Sequence, residues 1–82
     1  MANPAFEDRP PDGEQVTDYD RQNHRTYWRL LDAEAEQADW REVALIIFGI
    51  DAAAEPDRAR TVYDSHLVRA RWMSDSGYRQ LL

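Results

Sequence analysis

The chain has 82 residues, with 16 acidic side chains, 10 arginines and neither lysine nor cysteine. This length supports one small domain near the lower limit for unaided folding, which excludes a large enzyme core. The lack of cysteine excludes disulfides and thiolate zinc ligation, and no apolar run is long enough for a signal peptide or a membrane span. We therefore expect a cytoplasmic, cofactor-free protein.

Charge is distributed unevenly along the chain. The formal net charge is −6, yet residues 58–82 contain five arginines against two acidic residues. A protein that binds nucleic acid gains most of its affinity by neutralising phosphates with Lys and Arg. The overall balance therefore disfavours DNA binding, whereas the last third of the chain leaves it open.

The N-terminal stretch MANPAFEDRPPDGEQV contains three prolines, one glycine and four acidic residues, with only scattered apolar side chains. This composition predicts a disordered acidic tail over residues 1–17, followed by a folded domain over residues 18–82. Such a tail either solubilises the protein or screens a basic surface of its own domain. The sequence does not separate these two roles.

A first helix is predicted over residues 18–37. Thr17 and Asp20 have the spacing of a capping box at its start. Arg25 lies on its charged outer side, and Trp28 lies at the boundary between the charged and apolar sides. The helical repeat places on its apolar side Tyr27, Leu30, Leu31 and Ala35, with Ala38 beyond the helix end.

A second helix is predicted in the string WREVALIIFG. Asp39 is placed to cap its start, with Glu42 three residues later completing a capping box, and Gly49 ends it. The apolar run over residues 43–48 is also compatible with a buried strand, but the bracketing cap and stop favour a short, nearly engulfed helix.

A third helix is predicted from Pro56, a favoured first helical residue, to about Met73. A break near Asp64 and Ser65 stays open, because Ser can cap a new helix there. A turn and a short segment over residues 78–82 follow. The predicted buried face contains Ala59, Val62, Tyr63, His66, Ala70 and Met73. The fold class is thus all-α, a small domain of three to four helices.

The second and third helices have the pattern of a helix-turn-helix, in which a first helix positions a second one over the DNA major groove. Glu42, Val43 and Ala44 are followed by Gly49 and Ile50, as in that element. Gly49 lies five positions after Ala44, where a spacing of four is typical, and the connection to the third helix is also long. We therefore predict a helix-turn-helix variant with an extended turn.

The sequence from Tyr19 to Leu82 resembles the QseM/FseA family of helix-turn-helix variants encoded on bacterial integrative and conjugative elements. The resemblance is carried by the strings LLDAEAE, ADWREVA, EPDRAR and YDSHLVRARWM. It implies that an FseA-type activator joins such a domain to a separate N-terminal domain. A QseM-type antiactivator, which has the single domain, occupies the docking surface of that N-terminal domain. The present length and acidic balance are similar to those of the antiactivator class, which is also linked to quorum sensing.

The arginines of the third helix do not converge on its outward face, where the helical repeat places Thr61, Asp64, Ser65, Val68 and Trp72. A recognition helix needs side chains aimed at base edges with phosphate partners around them. Asp64, at helical spacing, partly neutralises Arg60. A direct DNA-binding regulator, the alternative reading, would use Arg58, Arg60, Arg69, Arg71 and Arg79.

Two sets of residues are candidates for contact with a protein partner, since buried aromatic residues and arginines dominate interface energies. The first is Val68 with Trp72 and the neighbouring Asp64, unless the residues after position 77 fold over this pair. The second is Trp28 with Arg25, which the resemblance favours if the partner docks opposite the recognition helix.

Catalytic, metal and cofactor sites are not predicted. Asp20 and His24 share a helix face, but no further His or Cys completes a metal site. Ser65 and His66 are adjacent, so their side chains diverge on a helix and cannot act as nucleophile and base.

The sequence thus predicts a monomeric antiactivator of mobile-element transfer or excision genes. It would bind an FseA-type activator, or a quorum-sensing regulator, without binding DNA. Direct DNA binding and neutralisation of an unrelated basic protein are the rival hypotheses.

Overall fold

The structure, a computed structural model, describes residues 6–81, which form four α-helices and one 3-10 helix. The α-helices are α1 (Asp18–Gln22), α2 (His24–Ala35), α3 (Trp40–Val43), which continues as a π-helical turn over Ala44–Phe48, and α4 (Pro56–Asp75). The 3-10 helix covers Gly77–Leu81. No β-strand occurs in the described residues, so the predicted all-α class is confirmed.

The predicted first helix is interrupted at Asn23, so the expectation of one helix over residues 18–37 is wrong. Its start is as predicted, because Thr17 and Asp20 form a capping box. Asn23 has φ −107° and ψ 15°, and its side-chain amide donates a hydrogen bond to the carbonyl of Tyr19 over 3.0 Å. A short polar side chain that bonds to the local backbone competes with the regular helix, which explains the break.

The apolar stripe of α2 is shorter than predicted. Tyr27 and Leu30 are fully buried, whereas Ala35 and Ala38 are exposed. Gln37 has a left-handed φ of 58°, and this turn ends α2 and carries the chain away from the stripe.

The second predicted helix begins and ends where expected but is less buried. The Asp39 side chain accepts a hydrogen bond from the Arg41 N–H, and Gly49 ends the π-turn with φ 69°. Glu42 does not complete the predicted capping box. Leu45 and Ile46 are 54% and 64% exposed, so the prediction of a nearly engulfed helix is wrong. A helical apolar run buries only the side that meets other elements, and here that side contains Val43, Ala44, Ile47 and Phe48.

The long helix α4 runs without interruption, so no break forms near Asp64 and Ser65. All six residues predicted for its inner face are buried. It packs against both α2 and α3, with Leu30, Ile47 and Val62 in the main core cluster. Residues 49–55 connect α3 to α4, and this connection is the extended turn predicted for a helix-turn-helix variant.

Residues 6–16 of the predicted tail contain no helix or strand and lie against the domain. Residues 1–5 of that tail lie outside the described residues. Phe6 packs on the main core cluster beside Phe48 and His66, with ring centroids 5.0 and 6.4 Å away. At the other end, the Val16 N–H donates to Gln80 Oε1 over 2.8 Å. We call residues 6–16 the acidic strap, because they cross α4 between these two attachments.

None of the helices within residues 6–81 is long and apolar enough to cross a membrane.

Candidate functional site

The predicted DNA-contacting arginines lie on or next to α4, and two exposed ones pair with acids close by in space. Arg58 Nε lies 3.1 Å from Asp8 Oδ1 of the acidic strap, and its Nη1 lies 3.5 Å from Glu55 Oε1. These carboxylates raise the pKa of Arg58, so it stays protonated and paired. Arg60 Nε lies 2.9 Å from Asp64 Oδ2, and its guanidinium lies over the Trp40 ring.

Arg71 reaches from α4 to α2, where its guanidinium bonds both carboxylate oxygens of Glu34. Such a bidentate geometry is the strongest form of an Arg–carboxylate pair, although about half of the Arg71 side chain remains exposed. A phosphate would have to displace Glu34 to use this arginine fully.

Arg69 is the exception to the predicted exposure, because it is buried. Its Nε and Nη2 donate to Asp20 over 3.0 and 2.7 Å. Nη2 also donates to the carbonyl of Gln15 over 2.8 Å, and the guanidinium lies 3.9 Å from the centroid of the Trp72 ring. The prediction that Arg69 flanks an open surface is therefore corrected: the acidic strap and α1 enclose it.

Asp20 is the buried partner that accounts for the position of Arg69. Burial acts to raise the pKa of Asp20, but hydrogen bonds from Arg69, Thr17 and Tyr27 outweigh it and lower that pKa below its ordinary value. The hydroxyl of Tyr27 donates to Asp20 over 2.7 Å. The carboxylate thus stays ionised and joins α1, α2 and α4 at one point, and Arg69 in turn bonds to the acidic strap.

Arg79 stands apart from the other four. It lies exposed in the 3-10 helix, and within the described residues it has no acidic partner. The structure therefore brings Arg58, Arg60 and Arg71 to the surface of α4 as internally paired groups and keeps Arg69 inside. Arg79 is exposed and unpaired among residues 6–81.

The acidic strap covers part of the outward face of α4, the face that a recognition helix would present to DNA. Between the two lies an open groove of about 840 Å³. The Ser65 hydroxyl lies 3.2 Å from the carbonyl of Asp8. Residues of α4 that line the groove are Arg60, Thr61, Asp64, Ser65, Val68, Arg69 and Trp72.

A hydrogen-bonded chain fixes the first part of the acidic strap. The Glu7 N–H donates to the hydroxyl of Tyr19, which lies 2.6 Å from His66 Nε2. His66 Nδ1 lies 2.8 Å from the carbonyl of Val62, and a carbonyl only accepts, so Nδ1 carries the proton and Nε2 accepts from Tyr19. Burial lowers the pKa of His66, which keeps the ring in this neutral form.

The predicted protein-contact residues occupy two different surfaces. Trp28 on α2 is 47% exposed and stacks on Tyr78, with ring centroids 5.3 Å apart, and Arg25 is exposed nearby in sequence. On α4, Val68 is 62% exposed, whereas Trp72 is partly buried against the second core cluster. Asp64 pairs with Arg60.

The 3-10 helix leaves Val68 open. Tyr78 stacks on Trp28 and packs in the cluster that includes Trp72, while Val68 remains exposed. The side chains of Leu81 and Leu82, which the sequence also offers as a cover, lie outside the described residues.

Sequence reasoning missed a third surface, which contains the exposed Leu45 and Ile46. The apolar run of α3 obscured it, because six consecutive apolar residues suggest burial on all sides. The signal was nevertheless present: with Val43, Ala44 and Ile47 facing inward, a helical repeat turns Leu45 and Ile46 outward.

Comparison with known proteins indicates a role in transcription regulation. A family profile described as "T6SS, Transcription factor, DNA binding domain" matches residues 3–82, which include the acidic strap as well as the helices. A search of curated proteins found no match. The chain belongs to this family of transcription-factor DNA-binding domains, and is a small transcription-regulatory domain.

Proposed function

We propose that this chain regulates transcription by contacting a protein rather than DNA, as an antiactivator of the QseM type. The observation that carries the proposal is the pairing of α4: Arg58, Arg60 and Arg71 each bind an acidic side chain of the same chain, and Arg69 is buried. Because phosphate neutralisation supplies most of the affinity for DNA, this surface offers little attraction to a duplex.

The acidic strap adds to this argument. Residues 6–16 contain four carboxylates and one arginine, and they lie where a DNA backbone would approach the outward face of α4. Like charges at this position repel phosphates, so the strap opposes DNA docking both by occupying space and by its charge.

Under this proposal the chain mimics the helix-turn-helix domain of an FseA-type activator and takes its place on the activator's own N-terminal domain. The genes controlled would be those for transfer or excision of a mobile element. A free domain displaces a tethered copy only when its concentration and affinity exceed the effective concentration of the tether, often about millimolar for a short linker. Binding before the activator assembles avoids that competition.

Two surfaces are proposed for the contact. Trp28 with Arg25 offers an exposed aromatic ring beside an arginine without a partner among the described residues, the combination that dominates interface energies. Asp64, Val68 and Trp72 offer a second surface, along the groove beside the acidic strap. The first is the better candidate, because Trp72 already packs within the domain.

Direct DNA binding is the second candidate function, and the family description favours it. It would use Arg58, Arg60, Arg71 and Arg79, and the acidic strap would have to move aside. Its affinity would fall steeply with salt, because each phosphate contact releases counterions.

The proposal is tested by titrating the chain into the N-terminal domain of an FseA-type activator and following activator-dependent transcription in the same samples. We expect complex formation and loss of transcription together, with Trp28→Ala weakening both. Val68→Ala tests the second proposed surface, and Gln22→Ala, at an exposed position outside both surfaces, serves as the control. Loss of transcription without complex formation would contradict the proposal.

A further inference from the structure

The surface formed by Leu45 and Ile46 indicates what kind of partner the chain binds. This inference rests on the proposed function. Two large aliphatic side chains next to each other in sequence are both more than half exposed. The backbone there is a π-helical turn over Ala44–Phe48, a rare distortion that is frequent at functional sites. Apolar area left in water at such a place is typical of an interaction surface.

Ile46 also lines an open groove of about 280 Å³ between α2 and α3. Its floor is apolar, with Ala33 and Val43 among the lining residues. Alanine on the α2 side leaves room for side chains from outside, which suits the apolar side of a docking helix. We call Leu45, Ile46 and this groove the α2–α3 surface.

The charges around the groove are acidic and unpaired. Asp32, Glu36 and Glu42 line it and are exposed, with Arg29 as the one basic lining residue. Within the described residues, none of the three carboxylates has an ion-pair or hydrogen-bond partner for its side chain. They differ in this from Asp8, Glu34 and Asp64, each of which is already bound to an arginine of α4.

We infer that the α2–α3 surface binds a basic amphipathic helix of the regulated protein, with its apolar side on Leu45 and Ile46 and its Lys or Arg residues on the three carboxylates. Charge complementarity selects this occupant, since unpaired surface charges steer and orient a partner of opposite sign. A second copy of the chain fits poorly, because two acidic rims would face each other.

The probe that tests this inference is a synthetic amphipathic helix with leucine on one side and lysine on the other. The same helix with glutamate in place of lysine is the charge control. Each is titrated into the full chain, with methyl and indole NMR signals used to locate the contact. We expect the lysine helix to shift the signals of Leu45 and Ile46, with binding that weakens as salt rises, and the glutamate helix to leave them unchanged.

Substitutions separate this site from general attraction to an acidic protein. Leu45→Ser and Ile46→Ser keep the net charge, and each is expected to weaken binding about tenfold, because an exposed aliphatic side chain loses its buried contact. Ala54→Ser makes an apolar-to-polar change at an exposed position outside every proposed surface and should leave binding unchanged. Shifts centred on Val68 or Trp28, equal binding of both helices, or no effect of Leu45→Ser and Ile46→Ser would overturn the inference.

Two further outcomes distinguish failure of this inference from failure of the proposed function. Concentration-dependent dimerisation lost in Ile46→Ser would show that a second copy is the occupant, and would overturn the inference while leaving the proposed function intact. Binding of the chain to duplex DNA, with the lysine helix still on Leu45 and Ile46, would contradict the proposed function and leave the site standing.

Discussion

The two sides of the molecule handle charge in opposite ways. On α4, where the sequence concentrates its arginines, Arg58, Arg60 and Arg71 are bound by acids from the strap, from α4 itself and from α2. On the α2–α3 surface, Asp32, Glu36 and Glu42 have no such partners among the described residues. The arginines of α4 are therefore neutralised within the chain, whereas the carboxylates of the α2–α3 surface are available to a partner.

This difference shows why net charge by segment is a poor guide to function in a small helical domain. A surface attracts a partner through charges that are not already neutralised nearby. Pairing depends on contacts between residues far apart in sequence, such as Asp8 with Arg58 and Glu34 with Arg71. The following predictions test the contrast between the two sides, from the largest expected effect to the smallest.

The largest effect is expected on stability, when a charge is placed at Ile47 rather than at its neighbour Ile46. Ile47→Asp buries an unpaired carboxylate in the core, so we expect loss of more than about 4 kcal/mol and an unfolded chain. Ile46→Asp places the same charge on the exposed side, where we expect a change within about 0.5 kcal/mol. Urea unfolding followed by circular dichroism compares them. Equal destabilisation would show that Ile46 is not at the surface.

Removing the buried guanidinium of Arg69 should have the second-largest effect on stability. Arg69→Met leaves Asp20 buried without its main partner, so we expect a loss of about 3–5 kcal/mol. Arg58→Gln breaks an exposed pair and serves as the control, with little change expected. Thermal unfolding of both variants checks this prediction. Wild-type stability of Arg69→Met would place Arg69 at the surface, where DNA could reach it.

Releasing the arginines of α4 should create some affinity for DNA. Asp8→Asn, Glu34→Gln and Asp64→Asn together remove the nearest acidic partner of each of three arginines, and we expect weak binding with a salt slope of roughly −2 to −3. Asp32→Asn, Glu36→Gln and Glu42→Gln raise the net charge equally on the α2–α3 surface and should give none. Equal binding of the two triple variants would show that net charge, not local pairing, controls DNA affinity.

A smaller effect is expected from pH on the free energy of unfolding. Burial lowers the pKa of His66, so below about pH 6.5 the unfolded chain takes up a proton that the folded chain resists. The free energy of unfolding should therefore be highest above that pH and decrease as pH falls toward 5. His66→Gln should reduce this slope, whereas His24→Gln, at an exposed position, should keep it. An unchanged slope in His66→Gln would refute the role of His66.

Much of the fold could be predicted from the sequence, because the residues that determine the helix ends and the buried face of α4 act locally. Thr17 with Asp20, Asp39, Gly49 and Pro56 mark helix ends through their own side chains or backbone preferences, and each lies where predicted. The inner face of α4 was also correct, since a 3.6-residue repeat needs no tertiary information. The break at Asn23 was missed because it depends on one side-chain bond to the backbone.

The candidate surfaces were less accessible, because they depend on what covers each residue. A helical wheel places Arg69 at the edge of α4, but Asp20 and the carbonyl of Gln15 enclose it from other segments. Composition predicted the acidic strap as a tail, yet Phe6 attaches it to the core through ring contacts with Phe48 and His66. Local pattern contains no information about such long-range partners.

The central claim, that the arginines of α4 do not serve DNA, is tested most directly by fluorescence anisotropy of labelled duplexes titrated with the wild-type chain at low salt. Promoter and unrelated duplexes are compared, because phosphate attraction is strongest under these conditions. We expect no binding to either duplex. Tight binding to the promoter that weakens steeply with added salt would contradict the account and make the chain a direct DNA-binding regulator.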